Sequence, residues 1–67
     1  MQIVVNGEPK SFPDQTLLTD YLSELGLQDK KAIAVALNGE VVAREHYESI
    51  ELGDGDILEI VKAIGGG

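Results

Sequence analysis

Cysteine is absent from these 67 residues, and cations are scarce: five lysines and arginines stand against twelve acidic residues, for a net charge of −7. Without cysteine there is no disulfide, no thiolate metal site and no cysteine nucleophile, so a domain near the lower size limit must be held by its core alone. The acidic balance argues against nucleic acid and anionic membrane as partners and makes a basic protein surface the natural one. No apolar stretch approaches the ~20 residues of a membrane span. The opening MQIVVNGEPK lacks the basic start and long apolar core of a secretory signal, so the cytoplasm is the expected location. What is present, 43% apolar residues and a mean hydropathy of +0.01, fits one soluble globular domain rather than a disordered chain.

Turn signals divide the chain. Gln2 to Val5 is a β-rich run followed by Asn6-Gly7, the dipeptide that best tolerates the two positive φ angles of a type I′ hairpin. Glu8 to Phe12 returns as a strand, and Pro9, which has no amide to donate, assigns it to a sheet edge. After Pro13-Asp14, Thr16 is positioned to cap a helix whose apolar face is Leu18, Leu22 and Leu25, with Gly26 ending it and Leu27 packing beyond the glycine. Ala32 to Leu37 reads as a central strand, Asn38-Gly39 repeats the hairpin signal, and Glu40 to Ala43 returns. Arg44 to Ser49 is a turn or short helical connection, Ile50 to Leu52 a brief extended piece, Gly53-Asp54-Gly55-Asp56 a turn, and Ile57 to Ala63 a final strand.

One amphipathic helix among these strands predicts an α+β fold: a mixed sheet of four to five strands with one main helix packed across it, the β-grasp arrangement. If Ile3, Val5, Val35, Leu37, Leu58 and Ile60 point toward the helix, period two puts Val4, Ala34, Ala36 and Val61 on the opposite, open face. Small and β-branched residues there make either a flat docking platform for a partner or an ordinary sheet surface.

Chemistry-bearing residues are few. There is no Gly-x4-Gly-Lys-Ser/Thr loop, and Asp54 and Asp56 beside the only Gly-rich turn repel phosphates. The same aspartates lack the ligand spacing and closing Glu of a calcium loop, so no metal site is expected and a solvated turn is. His46 stands between Glu45 and Tyr47 with no nucleophile placed near it, which favours a surface role over catalysis. The one unusual feature is Gly65-Gly66-Gly67 after the apolar run from Ile57 to Ile64. Glycine contributes nothing to a fold at such a place but supplies a thread without side chains, whose six residues from Lys62 span up to ~20 Å. The expected division is a domain over 1–64 and a flexible glycine tail over 65–67. A frayed end is the alternative reading of the tail.

Asn38-Gly39, Val42, Arg44-Glu45, Gly53-Asp54-Gly55-Asp56, Ile60-Val61 and the glycine end together resemble the ubiquitin-like sulfur carriers, and among them the carrier of thiamin biosynthesis, the ThiS family. The resemblance runs the length of the chain. The third glycine departs from the commonest pattern and leaves the Gly66-Gly67 pair intact.

The resemblance implies a carrier rather than an enzyme, without a cofactor of its own. The carboxylate of Gly67 would be adenylated by an ATP-dependent E1-like enzyme of the ThiF type, and sulfur from a donor protein would then convert it to a thiocarboxylate. A thiazole synthase of the ThiG type would take up that sulfur. A thioacid is ionised near neutral pH, so such a carrier needs no cysteine. Fixing three glycines costs on the order of 3–6 kcal/mol, which contacts of the globular surface must offset. Val4, Ala34, Ala36 and Val61 are the candidate partner-binding residues, and Glu51, Asp54, Asp56 and Glu59 are placed to steer a basic partner. Rival readings are the small subunit of molybdopterin synthase, a protein modifier that forms isopeptide bonds, and a binding module with an idle tail.

Overall fold

The computed structural model describes residues 1–27 and 32–62. Five strands and one α-helix follow in the order β1 (Gln2–Val5), β2 (Glu8–Ser11), α1 (Leu18–Glu24), β3 (Ile33–Leu37), β4 (Glu40–Val42), a 3-10 helix (Arg44–Ser49) and β5 (Ile57–Lys62). The strands form one sheet in the order β2-β1-β5-β3-β4. β1 and β5 run parallel, while β1/β2, β3/β4 and β3/β5 are antiparallel. This is the β-grasp fold: a mixed sheet with its main helix across one face.

Both Asn-Gly pairs make the turns their chemistry calls for. Asn6 and Gly7 have φ of 50° and 84°, and Asn38 and Gly39 have 52° and 85°, so each pair holds the doubly positive backbone of a type I′ turn. Pro9 lies on edge strand β2 opposite Val4, whose amide donates the other way, to Asp56 O at 3.0 Å. That position asks for no donor, so the imino acid leaves no bond unmade.

Helix α1 ends as its sequence predicts and begins otherwise. Gly26 has φ 76°, the Leu27 amide reaches back to Leu22 O at 2.8 Å and the Gly26 amide to Ser23 O at 3.0 Å, the paired bonds of a Schellman motif. The expected Thr16 cap does not form. Leu17 occupies the cap position, and the Thr16 hydroxyl donates instead to Pro13 O at 2.7 Å. A long-range partner takes over: Leu18 N donates to Ile50 O at 3.0 Å and Leu52 N to Thr16 O at 2.9 Å, around a bridge between Leu17 and Glu51. Ile50 to Leu52 is thus the brief extended piece, and it anchors the start of the helix.

The core gathers Ile3 and Val5 from β1, Leu18, Tyr21 and Leu22 from α1, Ile33 and Val35 from β3, and Leu58 and Ile60 from β5, with Tyr47 and Leu52. Leu37, expected in the core, packs at its margin. Leu25, expected on the buried stripe, is 45% exposed because the helix has already turned toward its C-cap there. Tyr47 is the converse case: it is 1% exposed within an otherwise polar segment, because the 3-10 helix turns it inward.

Candidate functional site

Gly65, Gly66 and Gly67, the expected tail and reactive end, lie outside the described residues, as does Ala63 at the expected end of the last strand. The strand that leads to them is described up to Lys62 and occupies the middle of the sheet. Its antiparallel register with β3 runs without a break from Leu37↔Leu58 to Ile33↔Lys62. On its other side the parallel register with β1 covers only Val4↔Ile57 and Val5↔Leu58. The Asn6 side chain continues that ladder: its Oδ1 accepts from Ile60 N at 2.8 Å and its Nδ2 donates to Ile60 O at 3.1 Å. Asn38 holds the strand's other end, accepting from Ile57 N at 2.9 Å through Oδ1 and donating from its backbone amide to Ile57 O at 2.7 Å. Both hairpin asparagines therefore clamp β5, one near each end.

Register decides which side chains share the face away from the helix. Val4 stands beside Ile57, Ala34 opposite Val61, and Ala36 opposite Glu59 on one side and Val41 on the other. The four expected open-face residues are all on that side: Ala34 and Val61 are exposed, and Val4 and Ala36 are half-buried by their neighbours. Two large apolar residues extend the set, Ile57 at 49% and Val41 at 83% exposure. The same period-two count along β5 and from Ala36 across the second hairpin reaches both. The result is a continuous apolar surface over four strands with Glu59 inside it.

The acidic turn before β5 is structural. Asp56 accepts from Gly53 N at 2.7 Å and from Asn38 Nδ2 at 3.0 Å, and Asp54 accepts from Gln2 N at 2.7 Å. These carboxylates hold backbone, in place of the merely solvated turn that the sequence suggested. No group of three or more His, Asp or Glu among the described residues is arranged to hold a metal ion. His46 is exposed on the 3-10 helix, and its backbone amide donates to Ala43 O at 2.9 Å.

On the helix side, a cleft of about 260 Å³ opens between Val5, Ile60, Tyr21 and Leu25, with Lys10 and Lys62 at its rim. Tyr21 meets Phe12 edge-on, with ring centroids 4.9 Å apart. Burial, reinforced by the nearby charge of Glu24, raises the Tyr21 hydroxyl above its ordinary pKa of 10.0. No helix among the described residues is long and apolar enough to cross a membrane.

Comparisons with known proteins converge. A family model described as ThiS family matches residues 3–67. The chain is 36% identical over 64 residues to a sulfur carrier protein ThiS of Bacillus subtilis, covering 94% of this chain and 96% of that one. It is 42% identical over 67 residues to a thiazole synthase of Paramagnetospirillum magneticum, but there it spans only 20% of the relative's length. The crystal structure of a thiamine biosynthesis protein (ThiS) from Geobacter metallireducens matches with a TM-score of 0.82 at 35% identity, over 100% of both chains.

Proposed function

The chain belongs to the ThiS family, and from that premise we propose that it is a cytoplasmic sulfur carrier of thiamin biosynthesis, a co-substrate of other enzymes rather than a catalyst. The carboxylate of Gly67 is its reactive group. A carboxylate is a poor electrophile, because its charge repels nucleophiles and its leaving group would be oxide. An ATP-dependent E1-like enzyme of the ThiF type removes that obstacle: the carboxylate attacks the α-phosphorus, pyrophosphate leaves, and an acyl-adenylate results. Sulfide-level sulfur from a donor protein attacks the acyl carbon, AMP leaves, and a thiocarboxylate remains; where the donor holds the sulfur as a persulfide, a thiol supplies the two electrons that release it. A thiazole synthase of the ThiG type then takes the sulfur.

The observation that carries this reading is the place of β5. The strand preceding Gly65, Gly66 and Gly67 is the middle of the sheet and is bonded on both sides up to Ile60. A segment of five residues beyond Lys62 reaches at most about 17 Å, so the body must sit close to the active site that receives its end. The open face supplies a surface for that: Val4, Ala34, Ala36 and Val61, joined by Ile57 and Val41, form the docking platform for the adenylating enzyme. Two relatives named thiazole synthase carry a segment like this chain over 20% of their length, which favours a synthase as the acceptor.

Intact mass spectrometry tests the proposal. Incubation with the source organism's ThiF-type enzyme, ATP and a sulfur donor is expected to exchange one oxygen for sulfur at the C-terminus. Deletion of Gly67 is expected to abolish that exchange and leave thermal unfolding unchanged. Conjugates of higher mass joined to lysine would identify a protein modifier instead, and an unaltered mass with a demonstrably active enzyme would end the carrier reading.

A further inference from the structure

Glu59 is one of the two central residues of β5, which is itself the middle strand. Two residues away along that strand on either side stand Ile57 and Val61, both exposed on the same face. Ala36 is its partner in register on β3, and Val41 lies beyond Ala36 on β4. The registers put no other charged side chain at an open-face position of the five strands. Of the other acids placed to steer a partner, Asp54 accepts from the Gln2 amide of β1, Asp56 from Gly53 N and Asn38 Nδ2, and Glu51 sits at the bridge to Leu17, off the sheet. Among the described residues Glu59 makes no ion pair: Lys10 and Lys62 rim the cleft on the helix side, and Arg44, on the 3-10 helix, does not pair with it.

A single carboxylate inside an apolar surface is harmless while water covers it. Covering it with another apolar surface strips that water, which is strongly unfavourable unless a cation arrives in the same step. We propose that Glu59 is the specificity-determining residue of the open face, and that the surface of the adenylating enzyme which covers it is apolar with one arginine or lysine opposite Glu59. Arginine suits the place better, since its guanidinium is weakly hydrated, lies flat against aliphatic side chains and bonds a carboxylate with two parallel hydrogen bonds. The alanine and valine platform alone accepts any flat apolar surface. The carboxylate rejects those that bring no cation, so it discriminates by penalising wrong partners more than by strengthening the right one.

This inference rests on the reading of the open face as the docking surface, and the test separates the two. Binding of the full chain to the source organism's ThiF-type enzyme is measured by surface plasmon resonance for the wild type, Glu59→Gln, Val61→Ser and Val41→Ser. Glu59→Gln is nearly isosteric and exposed, so its thermal unfolding should match the wild type. Its affinity should fall about 30-fold or more, carried in the dissociation rate, as for one member of a desolvated charge pair. The loss should persist at about 0.5 M salt, where exposed charges are screened. Binding within about twofold of wild type for Glu59→Gln, with Val61→Ser impaired, overturns the role of Glu59 and keeps the docking face. A loss confined to the association rate and erased by salt overturns it too, by making Glu59 a steering charge. Unchanged binding in all three variants overturns the docking face itself.

Discussion

The carboxamide of Asn6 binds the backbone of Ile60 as a neighbouring strand would, accepting from its amide at 2.8 Å and donating to its carbonyl at 3.1 Å. The two residues are 54 positions apart. One asparagine thus serves twice: its backbone takes the positive φ of the first hairpin, and its side chain lengthens the short ladder between β1 and β5.

Replacing Asn6 by glycine keeps the turn and deletes both bonds. The expected loss is about 1–3 kcal/mol at ~0.5–1.5 kcal/mol per hydrogen bond, seen as a fall of roughly 4–8 °C in Tm for each kcal/mol. Asn6→Ala should lose about 1 kcal/mol more, since alanine resists the left-handed region. Equal melting temperatures for wild type and Asn6→Gly would show the clamp to be energetically idle.

Leu22 and Leu25 share one apolar stripe in the sequence and part company in the structure, at 2% and 45% exposure. Leu22→Ala should destabilise by about 2–5 kcal/mol, as for other buried leucines, and Leu25→Ala by less than about 1 kcal/mol. Urea denaturation of the pair decides it, and similar midpoints would contradict their difference in burial.

Helix onset and core membership mark where sequence reading stops. The two Asn-Gly turns, the edge position of Pro9 and the glycine end of α1 were legible because each follows from the residue's own backbone chemistry. The start of α1 was not, since its bonds come from Ile50 and Leu52, more than thirty residues away in the chain. Tyr47 escaped because a six-residue 3-10 segment is too short for periodicity to show which side is buried. On the candidate face, period two found Val4, Ala34, Ala36 and Val61, and the register added Val41, Ile57 and the isolation of Glu59. That isolation depends on which acids are already engaged, and only the fold reveals that.

Asp56→Ala removes the acceptor of Gly53 N and the partner of Asn38 Nδ2 together. At about 1.5–3 kcal/mol for hydrogen bonds to a charged group, this variant should be clearly less stable than Glu51→Ala, whose side chain is exposed. Chemical denaturation of the two variants side by side measures the difference.

Tyr21 gives the fold an alkaline limit. Burial, and then Glu24, hold its hydroxyl above the ordinary value of 10.0, so the unfolded chain loses that proton first. The stability it contributes is complete below pH 10.0 and declines as pH rises through the higher folded value. Thermal melts between about pH 8 and 11 should fall along a gentler slope for Tyr21→Phe than for the wild type. Parallel slopes would assign the alkaline loss to other groups.

The central place of β5 also governs when the protein comes into being. A nascent chain that has reached only Val42 holds two hairpins, β1/β2 and β3/β4, with nothing between them, and isolated hairpins are at best marginal in water. Translation of residues 43–62 takes ~1–4 s at about 5–20 residues per second, and until then the sheet has no middle. A chain cut short before Ile57 lacks the middle strand, so its open face is not assembled and proteases can clear it. Folding therefore rejects a chain that stops short of β5 and does not sense a loss beyond it.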